Sequence, residues 1–348
     1  MKTSYLHTLL CTLTIIMGSC SLPSQKNIIP ESPTQKPQLS PTEQNTATPI
    51  NLTTPEITRA PTPTKIPAIL RTWGNYPGPT IYPPIEIPPP VDLIDKPPEQ
   101  TNILLLGDDQ RPNESGLRTD SIMIISVNTT KNAISLISFP RDLYVYAPGW
   151  TMQRINVIYQ RGGFDLLALT FAYNFGVNLD YYMRVNVFTL QELINQLNGI
   201  DVNVAYPMSD EDPLLHGIRS IPVGIGHMNG ATAAWYCRAR YATSDFDRAR
   251  RHQEVLQALF QRLLSYDLLR QAPELYNQFS KAVSTNMTFE NIARFIPYAF
   301  KVKNKLPLRQ YLIGKSQVTE WTVPTDGSKV LLPIKDAIRL LMLQAFEA

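Results

Sequence analysis

The stretch "NILLLGDDQRPNESGLRTDSIMIISVNTTKNAISLISFPRDLYV", residues 102–145, decides the architecture. It contains three short apolar runs, each with charged residues at one end. "NILLLG" (102–107), closed by a glycine, reads as a buried strand. "SIMIISV" (121–127) and "AISLISF" (133–139) are β-branched runs joined by the polar "NTTKN", the pattern of a hairpin. Asp108, Asp109 and Arg111 follow the first run, Arg118 and Asp120 precede the second, and Arg141 and Asp142 follow the third. Antiparallel neighbours bring the first two groups to one edge of a sheet, where charged groups at strand ends form sites.

Working outward, "GGFDLLALTFAYNFG" (162–176) and "FTLQELINQLNG" (188–199) read as helices ending at glycine. "YYMRVNV" and "IDVNV" (200–204) suit strands. Strands alternating with helices predict an α/β fold, an α-β-α sandwich around a central mixed β-sheet. Further helical stretches after about residue 266, notably "PIKDAIRLLMLQAF", continue the same domain, and no internal repeat is present.

"CRARYATSDFDRARRHQ" (237–253) gathers Arg238, Arg240, Arg248, Arg250 and Arg251. Two unscreened like charges about 7 Å apart repel by roughly 2.4 kcal/mol at an effective dielectric near 20, so such a cluster calls for an anion. A helix starting near Asp245, with Asp245 or Asp247 as N-cap, carries an apolar stripe through Val255, Leu256, Leu259, Phe260, Leu263 and Leu264. Continued backward, the stripe reaches Arg251 and Arg248, which are expected to point inward at a helix start that also favours anions. Arg250 falls on the polar face and is expected to be solvated.

The 348 residues carry a formal net charge of +3 and are 43% hydrophobic, which does not mark a nucleic-acid binder. Residues 1–19 read as a signal peptide: basic Lys2, an apolar run too short for the ~20 residues of a membrane span, then small residues. Gly18-Ser19-Cys20 resembles a lipobox, with Cys20 as the lipidated residue. Residues 20–98 are rich in Pro, Thr, Ser and Gln, hold 19 of the 30 prolines, and are expected to form a disordered tether. Within them Trp73–Pro98 is less polar and suited to packing on the domain surface. The domain proper is drawn at 99–348. Cys237 lies among apolar residues and reads as buried filler.

Carboxylates with several arginines suit a phosphate ester, best a diphosphate with a metal. Mg²⁺ (or Mn²⁺) takes one or two carboxylates plus phosphate oxygens, and arginines clamp the rest. The other chemistries find little support. No two of His7, His216, His227 and His252 show zinc-ligand spacing, and neither a G-x-S-x-G elbow nor a P-loop occurs. His216 and His227 sit in a Gly/Pro-rich segment and read as structural or exposed; His252 follows Arg251 and is a lesser candidate for ligand contact.

The motifs "NILLLGDDQR", "RTDSIMIISVN", "ISLISFPRDLYV", "RINVIYQRGG", "DYYMRVN", "NGIDVNV" and "DFDRARRHQ" occur in the order and spacing of the LytR-CpsA-Psr family of cell-wall glycopolymer ligases, which the chain resembles over roughly residues 100–290. The resemblance implies transfer of a glycopolymer phosphate from a polyprenyl diphosphate carrier to a peptidoglycan hydroxyl, outside the cytoplasm and at the membrane. It implies Asp109 and Asp120 as metal ligands. Arg118, Arg141, Arg238 and Arg240 would contact the diphosphate, joined by Arg248, Arg251 and Gln253, with Arg111 and Arg154 also counted in the diphosphate-binding set and Asp142 near the site. Arg154 stands where lysine is frequent, His252 where glutamine is usual, and a lipid anchor with a long tether replaces the usual membrane helix. Asp109 or Asp142 would accept the proton of the attacking hydroxyl. The aromatic-rich "LLALTFAYNF" would be either a wall for the prenyl tail or ordinary core. A hydrolase, or a non-catalytic module that binds or senses a polyprenyl phosphate, are the rival readings.

Overall fold

The computed structural model describes residues 76–110, 117–239, 244–265, 283–295, 297–298 and 308–347. The three apolar runs become β1 (Gln100–Asp108), β2 (Thr119–Asn128) and β3 (Ala133–Phe139), paired antiparallel in sequence. Their near-continuous apolarity reflects burial on both faces: Leu104, Leu106, Ile122, Ile124 and Ile137 are all within 1% of full burial. A short hairpin, β4 (Tyr144–Tyr146) with β5 (Met152–Arg154), leads through a 3₁₀ turn into α1 (Ile158–Phe175). That helix starts four residues before the "GG" of the sequence reading and kinks at Gly162–Gly163, the second of which has a φ of +63°.

From α1 the chain crosses to β6 (Tyr181–Asn186), parallel to β1. There follow α2 (Val187–Gln196), β7 (Ile200–Val204), β8 (Met208–Asp212), β9 (Gly217–Ile221), β10 (Gly224–Met228), α3 (Gly230–Arg238) and α4 (Asp245–Ser265). The segment with His216 and His227 is thus two hairpin strands and a partner for β7, rather than a loop; His227 Nδ1 meets Asp201 Oδ1 at 2.7 Å. β11 (Val283–Thr285), α5 (Phe289–Ala293), β12 (Arg309–Leu312), β13 (Val318–Thr322), β14 (Lys329–Pro333) and α6 (Lys335–Glu347) complete the described chain. Among the described residues the main sheet runs β11-β6-β1-β2-β3-β12 and mixes parallel and antiparallel pairs, as the alternation of elements predicts.

Helices α1 and α6 cover one face of the sheet. Phe171 and Phe175 pack on Phe139, with ring centroids 4.9 and 5.2 Å away, and Ile338 and Met342 join the same core. "LLALTFAYNF" therefore supplies ordinary core here: Leu167, Phe171 and Ala172 are fully buried. The opposite face meets α4, whose Gln253 Nε2 donates to Ser138 Oγ (2.7 Å) and to the Tyr311 carbonyl (3.0 Å). A second core joins α2, α3 and α4 to β7 and includes the buried Cys237.

The chain lies on the domain from Tyr76, ahead of the boundary at residue 99 drawn from composition. Apolar residues set among the prolines explain this: Tyr76, Ile85 and Ile87 pack against Tyr146 and Tyr173, and Ile94 enters the main core. Backbone groups of this strap pair with the domain, Ile94 N–H with the Gly176 carbonyl at 2.8 Å among them. Gly176 has a φ of +68°, and a Cβ there would sit 2.3 Å from the Asp92 carbonyl oxygen. Only glycine allows both the helix stop and the strap's approach.

Candidate active site at the sheet edge

The strand register brings the charged groups together. Asp108 pairs with Thr119 of β2 and with Asn186 of β6, while Ile122 pairs with Phe139. The C-terminal ends of β1, β3 and β6 and the N-terminal end of β2 therefore share one edge. The start of α4 reaches the same edge. Neither Asp245 nor Asp247 caps that helix: Ser244 Oγ accepts from the Asp247 N–H (3.2 Å), and the Asp247 carboxylate accepts from the Ser244 N–H (3.3 Å). Asp245 is left to face the strands.

Arg141 is the hub. Its guanidinium lies 3.0 Å from Asp120, 3.5 Å from Asp142 and 3.8 Å from Asp245. These carboxylates raise its pKa although burial alone would lower it. Asp142 also meets Arg154 Nε at 3.3 Å, and Arg154 donates to the Lys329 carbonyl at 2.9 Å. The pKa of Asp142 is raised, first by burial and then by its hydrogen bond and charge repulsion with Asp245, against the pull of Arg141 and Arg154. Asp120, Arg141, Asp245, Arg248 and His252 line a narrow cleft of about 10 Å³, room for one water molecule. Arg118 and Arg154 line a wider cleft next to it.

The inward pair on α4 divides. Arg248, 5% exposed, faces the narrow cleft with its Nη2 2.8 Å from Asp245. Arg251 is inward too, but its guanidinium donates to the Tyr236 and Ala239 carbonyls at the end of α3 and does not line the cleft. Gln253 is likewise buried against β3 and β12. These two side chains thus sit between α4 and its neighbours, α3 for Arg251 and β3 and β12 for Gln253, and not in the narrow cleft. Arg250 is not simply solvated either, since it pairs with Glu254 and lies over the Tyr206 ring. Arg238 ends α3 exposed, donating to the Ala234 carbonyl and lying over Phe188, with no ion pair to the Arg141 hub among the described residues. Asp109 is exposed at the end of β1. Arg111, Arg240 and Cys20 lie outside the described residues.

Two residues at this edge, Arg184 and Asn186, are given no role in the sequence reading; both hold Asp108. Asp108 is almost fully buried and is held by Arg184 Nε at 3.1 Å and Asn186 Nδ2 at 2.8 Å. Polar residues at alternate positions near the end of "YYMRVN" were the available signal. Their partner emerges only from the parallel register of β1 and β6.

His252 Nε2 lies 3.0 Å from the Cys237 carbonyl. Burial, and then the Arg248 charge, lower its pKa from 6.5 to about 4. A histidine whose folded pKa is lowered takes up its proton earlier in the unfolded chain. Its contribution is therefore intact above pH 6.5 and is lost as pH falls toward about 4. His252→Gln is expected to flatten the decline in stability across that range, read from urea midpoints at several pH values. An unchanged decline would place its origin elsewhere.

The donor set suits a hard cation in kind. Carboxylate oxygens converge here, and no group of three or more His, Cys, Asp or Glu residues that could hold a metal occurs among the described residues. Two carboxylates completed by substrate phosphate are within what Mg²⁺ accepts.

A family model described as the LytR_cpsA_psr family matches residues 86–326. Over 193 residues the chain is 31% identical to the polyisoprenyl-teichoic acid–peptidoglycan teichoic acid transferase TagU of Bacillus cereus, covering 55% of this chain and 61% of that one. Over 231 residues it is 28% identical to regulatory protein MsrR of Staphylococcus aureus, covering 65% and 68%. The crystal structure of B. subtilis TagV matches with a TM-score of 0.61 at 22% identity, over 72% of this chain and 96% of that chain, a likeness of fold.

Proposed function

Because this chain belongs to the LytR_cpsA_psr family, we propose that it is an extracytoplasmic phosphotransferase moving a glycopolymer phosphate from a polyprenyl diphosphate carrier to peptidoglycan. The observation that carries this reading is the convergence of Arg141, Arg154 and Arg248 with Asp120, Asp142 and Asp245 at one sheet edge. Phosphoryl transfer needs positioning and charge neutralisation more than a covalent nucleophile. Arg118, Arg141 and Arg248 neutralise the diphosphate, and Arg154 holds Asp142 in place. Asp109 and Asp120 would hold Mg²⁺, which supplies further neutralisation of the phosphate oxygens when bound. Asp142, whose carboxyl is already pushed up, accepts the proton of the attacking sugar hydroxyl. In this reading Cys20 carries lipid and the tether sets the reach of the domain from the outer face of the cytoplasmic membrane.

The test is incubation of the full-length protein with a polyprenyl-diphosphate-linked sugar, with and without peptidoglycan. Product that depends on peptidoglycan is expected; equal release without it would mean hydrolysis. The 28% identity to a protein named as regulatory favours one other reading, a module that binds the lipid without turnover. That reading predicts copurifying lipid, no product, and no effect of Asp109→Ala.

A further inference from the structure

The end of β1 is gripped from the side of β6. Asp108 Oδ1 accepts from Asn186 Nδ2 at 2.8 Å and from the Gln110 N–H at 3.2 Å, while Oδ2 lies 3.1 Å from Arg184 Nε. Asn186 Nδ2 also donates to the Gln110 carbonyl at 2.8 Å, and its Oδ1 caps α2 by accepting from the Phe188 N–H at 2.9 Å. One carboxamide thus ties the residues on both sides of Asp109 to the start of a helix. Asp108 has a fully buried side chain with both carboxylate oxygens engaged. Of the two adjacent aspartates it is therefore the exposed Asp109 that can meet a ligand.

The register of β1 and β2 slips at the same point. Gly107 pairs with Ser121 and Asp108 with Thr119, which leaves Asp120 as the extra residue of a bulge in β2. Asp109 and Asp120 come from neighbouring strands, so their spacing as a pair is set where β1 ends. We infer that Asn186, acting through Asp108 and Gln110, is a positioning residue for the cation that Asp109 and Asp120 are proposed to share; this rests on that reading of the site and extends it. Mg²⁺ demands near-octahedral geometry and tolerates little displacement of a ligand. A carboxylate on a chain that is leaving a sheet must be ordered when it binds, unless its flanking residues are already fixed. The bonds to residues 108 and 110 fix them. A buried ion pair often stabilises no more than an apolar replacement, so geometry is the better account of Asp108 with Arg184.

The experiment titrates full-length protein with Mn²⁺, a stand-in for Mg²⁺ whose free ion is counted by electron paramagnetic resonance. Asp109→Ala should abolish the binding and so mark the site. Asn186→Ser keeps a capping oxygen for α2 but is too short to reach Asp108 and Gln110. It is expected to raise the Kd for Mn²⁺ about tenfold, the scale for losing a group that orients a metal ligand. Asp108→Leu, which offers no acceptor, should raise it similarly. Asp108→Asn, which keeps an oxygen for Asn186 and Gln110, should restore most of the affinity. Deuterium exchange at the Gln110 N–H, measured without cation, should quicken in Asn186→Ser and Asp108→Leu, and thermal unfolding scans check the fold. Wild-type affinity or wild-type exchange in Asn186→Ser overturns the inference and leaves the phosphotransferase reading in place. So does failure of Asp108→Asn to recover what Asp108→Leu loses, or binding that Asp109→Ala leaves unchanged. No Mn²⁺ binding by the wild type at millimolar concentration removes the cation from both. The expected pattern in a protein that forms no transfer product keeps the positioning role and removes the phosphotransferase reading instead.

Discussion

Arg141→Ala is expected to lower kcat/KM for glycopolymer transfer by about three orders of magnitude, the scale for losing a preorganised charge at a reacting centre. Arg141 stands between Asp120, Asp142 and Asp245 at 3.0, 3.5 and 3.8 Å. Without it, Asp120, Asp142 and Asp245 lose the guanidinium they share, and on the proposed reading an incoming diphosphate would meet repulsion there. The pKa of Asp142, already raised, should climb further, because the guanidinium that favours its charged form is gone. Arg141→Lys keeps the charge but not the planar fork that reaches several oxygens at once, so partial recovery is expected. Steady-state kinetics with a lipid-linked donor provide the measurement, and circular dichroism checks the fold. Wild-type kcat/KM in Arg141→Ala would take this residue out of the active site.

The second large effect is on stability. Arg251→Met is expected to lower the unfolding free energy by about 3 kcal/mol, because removing one partner strands buried polar groups. Arg251 is fully buried; its guanidinium serves the Tyr236 and Ala239 carbonyls, and Met208 Sδ lies 3.1 Å from Nη1. Those carbonyls belong to the last turn of α3 and the residue after it, where no helix continues to satisfy them. Arg248, one turn earlier, faces the cleft and pairs with the half-exposed Asp245. Arg248→Ala should therefore reduce activity with a smaller loss of stability. Urea unfolding of both variants separates the two roles. Equal destabilisation by both would contradict the division drawn between them.

Much of this was legible in the chain, for identifiable reasons. The three strands of the sheet centre were readable because burial on both faces demands unbroken apolar runs. The charged groups at their ends were readable because a hairpin fixes which ends meet. The inward direction of Arg248 and Arg251 followed from helical periodicity. Periodicity gives a face, however, and not what lies opposite it. Arg248 meets a cleft, and Arg251, one turn on, meets the end of α3. The Arg184–Asp108 pair depends on the register between strands separated by α1, which no local pattern encodes. The Ser244 cap was a local signal, a serine three residues ahead of Asp247, that competed with two more obvious aspartates. The strap from Tyr76 was legible in part: the stretch is proline-rich, but its less polar end suited packing on the domain, and its spaced apolar residues fasten it there.

Ser244's role at the start of α4 leaves Asp245 as a resident counterion. The guanidinium groups of Arg141 and Arg248 beside it thus have a carboxylate partner within the chain itself. Any anion that enters does so by exchange, displacing a carboxylate that is covalently part of the chain and therefore always at hand. A singly charged ion gains little from that trade, whereas a multiply charged headgroup that engages several arginines together can win it. Selectivity against small anions is in this way set by competition from within the protein.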